Sequence, residues 1–124
     1  MLLKKSMRQQ RQEAARKLLA GAMPNNDLGD LLDFFSNIAY MVNRGALDEV
    51  MAYEAFQYWI LRYWQAAQAY VAEARRADAE SWTNLENLAR KFERIKMRRN
   101  LPLVISLESL QFFLREESHP GVGA

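Results

Sequence analysis

The stretch YEAFQYWILRYW, residues 53–64, constrains this chain more than any other, because it sets six aromatic side chains in twelve positions. Placed on a helix at 100° per residue, Tyr53, Phe56, Trp59, Tyr63 and Trp64 fall within one arc of about 140°, with Ile60 among them. Tyr58 falls on the opposite side, between Glu54 and Arg62 at four-residue spacing. The stripe continues through Ala67, Tyr70, Val71 and Ala74, so large side chains give way to small ones. A face this apolar must be covered. A core is the favoured cover. A pocket or a partner face is the alternative, since buried Tyr and Trp need partners for their O–H and N–H groups.

The flanking sequence reads as further helices. The first is expected at about 2–20, with Leu3, Met7, Ala14 and Leu18 at loose helical spacing, followed by the loop GAMPNN. Asn26 or Asp27 can cap a second helix over about 27–44. Its stripe is Leu28, Leu31, Leu32, Phe35, Ile38, Ala39 and Val42, widened by Phe34 and Met41 toward neighbours on two sides. Arg44, Gly45 and Asp48 then make a structural corner. Gly45 accepts the left-handed conformation of a helix C-cap, Asp48 caps the next helix, and Arg44 can meet carbonyl oxygens or an acidic neighbour. The third helix, about 49–76, would span roughly 40 Å. Asp78 can cap a fourth over about 79–98, with Trp82, Leu85, Leu88, Ala89, Phe92 and Ile95 as its stripe. Asn100 and Pro102 end it, and Pro102 can start a fifth over about 102–117, whose first turn is ambiguous with a short strand at Val104 and Ile105. The expectation is an all-α fold, a bundle of four or five helices around one long central helix. It forms one domain over 1–117 with a disordered tail over 118–124.

The segments LLDFF (31–35), NRGALDE (43–49) and FQYWILRYW (56–64) resemble an uncharacterised bacterial helical family, domain-of-unknown-function family 4760, over about residues 28–76. The matching positions are Phe34, Phe35, Arg44, Gly45, Leu47, Asp48, Trp59, Tyr63 and Trp64. The sequence departs from the family pattern in two places. It begins MLLKKSMRQQ rather than with a membrane helix, and Ser36 stands where an acidic residue often follows the Phe pair. The resemblance implies a helical fold and no catalytic residue.

Charge is segregated. Lys4, Lys5, Arg8, Arg11, Arg16 and Lys17 outweigh Glu13 near the start, and Arg90, Lys91, Arg94, Lys96, Arg98 and Arg99 outweigh Glu93 later on, with an acidic middle between. Three readings compete for these blocks. The favoured one is a solvated face partly paired with the acidic middle. Another is nucleic-acid binding, poorly served because Phe92 is the only aromatic in the second block. The third is contact with an anionic membrane surface, for which the first helix offers a thin apolar face. Lys91, Arg94, Arg98 and Arg99 are the candidate anion-binding residues.

Several chemistries lack their residues. There is no cysteine, which removes disulfides and thiolate metal sites. The single histidine, His119, lies in the tail, and no glycine-rich phosphate loop is present. Asp27, Asp30 and Asp33 recur every three residues, a pattern that suits a solvated helix face better than a magnesium site. No cofactor is expected.

The functional expectation is therefore a non-catalytic protein-interaction module that self-associates, most simply as a homodimer. It is expected to be cytoplasmic, with the inner face of a membrane as the alternative. The candidate surface is Trp59 and Tyr63 together with Leu103, Leu107, Leu110 and Leu114, which alternate by four and three along one edge. Two heptads are too few for an independent coiled coil, so that edge must pack on something larger.

Overall fold

The computed structural model describes residues 6–119. Every regular element among them is helical: α1 (Met7–Ala20), α2 (Asn26–Asn43), α3 (Glu49–Ala66), α4 (Gln68–Ala77), α5 (Thr83–Arg98) and α6 (Leu107–Ser118). The chain divides into two compact units. One holds the described residues up to Leu31 together with those from Ser106 onward; the other is Leu32–Ile105. Helix α2 thus gives its first turns to one unit and the remainder to the other.

In the first unit α1 packs on α6. Helix α1 begins at Met7, later than its periodicity suggested, because Ser6 closes a capping box with Gln9; Leu3, Lys4 and Lys5 lie outside the described residues. Ala14 and Ala15 are fully buried, and such small side chains permit close approach of a neighbouring helix. Leu28, Leu31, Leu110, Phe113 and Leu114 fill the rest of the core. The cap of α2 is neither Asn26 nor Asp27. It is the buried Asn25, whose Oδ1 accepts the Leu28 N–H at 3.2 Å while its Nδ2 donates to the Ala14 carbonyl at 3.2 Å. Helix α6 starts at Leu107, not at Pro102, because Ser106 accepts the Ser109 N–H at 3.1 Å. Residues 101–106 have no regular secondary structure, neither helix nor strand. Ser118 belongs to α6, and residues 120–124 lie outside the described part.

In the second unit the α2 stripe from Leu32 to Val42 is buried as expected, but Phe34 and Met41 are exposed, so α2 does not bury a second face there. The corner after α2 forms as predicted. Gly45 has φ +75°, the Ala46 N–H reaches the Met41 carbonyl and the Gly45 N–H reaches the Val42 carbonyl, a Schellman closure. Asp48 caps α3 through the Met51 N–H at 2.9 Å. Among the described residues the Arg44 side chain meets neither a carbonyl nor an acid; its guanidinium donates to the Tyr40 hydroxyl at 2.6 Å and lies over that ring.

The expected long helix covers its stretch but is interrupted at Ala67, giving α3 and α4. The Gln68 side-chain amide donates to the Trp64 carbonyl at 2.7 Å, and a side chain inserted in the backbone ladder is a known origin of such breaks. Asp78 does not cap α5 either. It accepts the Glu80 N–H within the turn, and the helix starts only at Thr83, after Trp82 in the left-handed region at φ 57°. Helix α5 then returns antiparallel to α3 and α4. Arg75 on α4 reaches Glu86 on the first turn of α5, and Arg99 beyond its end reaches Glu54 on α3. Leu85, Leu88, Ala89, Phe92 and Ile95 are buried along it, with the Phe92 ring edge-on to Tyr53 at 5.5 Å.

Candidate functional site

The aromatic arc resolves into core and margin. Tyr63 is fully buried and stacks obliquely on Phe35 at 6.3 Å, and Tyr53 is buried against Phe92. Phe56, Trp59 and Trp64 are half-buried, and Tyr58 is exposed under the Arg62 guanidinium, 4.1 Å from its centroid. The leucine edge separates in the same way. Leu110 and Leu114 belong to the core of the first unit, Leu107 on the opening turn of α6 is 69% exposed, and Leu103 precedes the helix altogether. Of the residues expected to face a partner, Tyr63, Leu110 and Leu114 are thus occupied inside the chain. Trp59, Leu103 and Leu107 keep surface.

The first basic block is largely engaged. Arg11 pairs with Glu117 at 2.9 Å, Arg16 with Glu13 at 2.9 Å and Lys17 with Asp27 at 3.3 Å. The second block is different. On α5 the spacing Lys91, Arg94, Arg98 (i, i+3, i+7) puts three cations on one outward face, opposite the buried stripe. Lys91 donates to Asn43 Oδ1 at 3.0 Å, and Arg90 pairs with Glu86 at 3.4 Å. Arg99, also expected to bind anions, is held by Glu54 at 2.8 Å and lies over the Tyr53 ring. Arg94 and Arg98 are exposed and make no ion pair among the described residues. Lys96 is half-buried, and burial first, then the Arg62 charge, lowers its pKa below the usual lysine value.

Beyond these cations the chain presents apolar side chains. Asn100, at φ 57°, closes α5 through a second Schellman pair, Leu101 N–H to Lys96 carbonyl and Asn100 N–H to Met97 carbonyl. Met97 is 60%, Leu101 44% and Val104 88% exposed. Leu103 and Ile105, on either side of Val104, line a small groove with Trp64, Gln65, Gln68 and Glu93, and Gln65 Nε2 donates to the Ile105 carbonyl at 2.8 Å. The segment is anchored on one side and bare on the other. The sequence hinted at this in the unsettled reading of residues 102–106, but it had no means of saying which apolar residue would face out.

A second concavity, about 680 Å³, lies where the α4–α5 turn meets α2 and is lined by Asp33, Ser36, Asp78, Glu80, Trp82 and Asn84. Trp82 Nε1 donates to Asp33 at 2.9 Å and its ring lies 5.7 Å from Tyr70. The buried Ser36 Oγ has no hydrogen-bond partner among the described residues. Of the three spaced aspartates, Asp27 is bound to Lys17 and Asp33 to Trp82. Among the described residues no group of three or more His, Cys, Asp or Glu is placed to hold a metal ion. None of the described helices is long and apolar enough to cross a membrane.

The family model described as Domain of unknown function (DUF4760) matches residues 2–92. The match extends the 28–76 resemblance in both directions and stops within α5, before Arg94. No curated protein and no solved structure matches the chain.

Proposed function

The chain belongs to the domain-of-unknown-function family DUF4760, and we propose that it is an interaction module without catalytic activity that docks a macromolecule bearing anionic groups through the exposed end of α5. One observation carries this reading: Arg94 and Arg98, which make no ion pair among the described residues, stand beside the bare apolar side chains of Met97, Leu101 and Val104. Charged side chains on a solvated face are ordinary, and so are single exposed apolar ones. Their concentration in eleven consecutive residues argues for a contact surface. The test is retention of the whole protein on immobilised heparin, a generic polyanion. Retention near ~0.15 M salt, weakened in the double variant Arg94→Glu/Arg98→Glu, supports the reading. Passage of the parent protein without retention overturns it.

Self-association is the second reading. It is favoured by Leu107 and Phe112, 69% and 59% exposed on α6. Light scattering at micromolar concentration decides it. A dimer mass that falls to one chain with Leu107→Glu supports α6 as the contact, and a single-chain mass at all concentrations removes the reading.

A further inference from the structure

Resting on the docking reading above, we propose that its partner is an anionic lipid bilayer: Met97, Leu101 and Val104 enter the headgroup layer while Arg94 and Arg98 pair with lipid phosphates.

The side chains are arranged in the order a bilayer surface requires. The apolar ones lie at and beyond the last turn of α5, and Val104, the most exposed, lies farthest along the chain. Arg94 and Arg98 stand four residues apart on one helix face, about 6 Å along the axis, with Met97 between them in the chain and Leu101 and Val104 beyond both. If the tip enters the interface, both guanidinium groups fall at headgroup depth, where a planar donor fork binds phosphate well. Lys91 continues the same face one turn further back. Between residues 87 and 107 the only acidic side chain is Glu93, and it lines the groove beneath Leu103 and Ile105. The tip is held from below by the Gln65 bond to the Ile105 carbonyl, so Val104 is presented by an anchored segment.

The same chemistry argues against nucleic acid. The only aromatic ring between residues 90 and 106 is Phe92, which is fully buried, so this segment itself offers no ring for base stacking. Exposed Met, Leu and Val side chains gain nothing from a phosphodiester backbone, whereas the acyl boundary rewards them. Three small apolar groups are too few to anchor a protein alone. Binding must therefore be reversible, must need anionic lipid and must weaken as salt rises.

The experiment is flotation of the full chain with vesicles of phosphatidylcholine containing about one-third phosphatidylglycerol, beside pure phosphatidylcholine, with heparin retention measured in parallel. The parent should float with the anionic vesicles at ~0.1 M salt, at least about tenfold better than with neutral ones, and should be released at ~0.5 M. Arg94→Gln/Arg98→Gln should lower vesicle partitioning roughly thirty-fold. Leu101→Ser/Val104→Ser should lower it severalfold while leaving heparin retention unchanged, a split that purely electrostatic binding does not give. All four positions are exposed, and circular dichroism checks that the variants keep the parent helicity. Heparin retention without flotation overturns the bilayer assignment and leaves the docking reading standing. Loss of both removes both. Flotation indifferent to the four substitutions shows that another surface binds lipid and also overturns the proposal.

Discussion

Removing the Asn25 side chain should cost far more than its place in a loop suggests. Asn25 is 1% exposed, and its amide does two things at once: Oδ1 accepts the Leu28 N–H and caps α2, and Nδ2 ties the α1 backbone to that cap through the Ala14 carbonyl. Asn25→Ala loses the cap, worth about 1 kcal/mol. It also deletes the separate bond from Nδ2 to the Ala14 carbonyl, adding about 1–2 kcal/mol. The total is about 2–3 kcal/mol, which at a urea m-value of about 1–2 kcal/mol/M moves the unfolding midpoint down by roughly 1–3 M. Asn25→Ser keeps an acceptor for the cap but not the donor to Ala14, and should fall between parent and alanine variant. Asn26→Ala, at the neighbouring exposed position, should change stability by less than about 0.5 kcal/mol. Urea denaturation followed by circular dichroism reads all three. If Asn25→Ala and Asn26→Ala unfold together, the cap has been misplaced and the link between α1 and α2 does not contribute as described.

Other positions test the rest of the fold. Gly45→Ala should destabilise by about 1 kcal/mol in the same assay, all of it backbone strain at φ +75°, because a Cβ there meets nothing within 4 Å; an unchanged midpoint would mean that α2 ends elsewhere. Leu110→Glu buries an unpaired charge in the core of the first unit and should unfold the protein or cost about 3 kcal/mol or more, seen as loss of the cooperative thermal transition. Lys96 binds its proton less tightly folded than unfolded, since burial and Arg62 lower its pKa. Its contribution to stability is therefore least favourable below the folded pKa, and it improves as pH rises through the interval between the folded and unfolded values. Lys96→Met should raise the neutral-pH midpoint and flatten part of that alkaline rise; a fall in the midpoint would contradict the sign.

Helical periodicity made most of the core legible. The stripes of α2 and of α5 from Leu85 to Ile95 are buried residue for residue, and Gly45 and Asp48 close the corner as their chemistry dictates. What escaped were decisions taken by single side chains reaching outside their own helix. Asn25 outcompetes Asn26 and Asp27 for the cap because it also finds the α1 backbone. Gln68 interrupts the long helix by taking the Trp64 carbonyl. Trp82 leaves its expected stripe for the left-handed region, where its indole N–H reaches Asp33. Periodicity also assigns apolar residues to a face without saying how much neighbouring surface exists to cover it. Tyr63, Leu110 and Leu114 therefore read as partner-facing when the chain covers them itself, and the exposure of Met97, Leu101 and Val104 could not be read at all.

Because the sequence contains no cysteine, Val104→Cys gives a single site for a nitroxide label. Asn37→Cys, exposed on α2 in the same unit, gives a label elsewhere. Collision of each label with oxygen and with a polar paramagnetic reagent, measured by electron paramagnetic resonance with and without vesicles containing phosphatidylglycerol, locates the docking surface directly. Docking through the end of α5 predicts that the label at 104 becomes shielded from the polar reagent and more accessible to oxygen, while that at 37 does not change. Vesicle-bound protein in which the label at 104 stays as water-accessible as before, or in which the label at 37 responds instead, would contradict it.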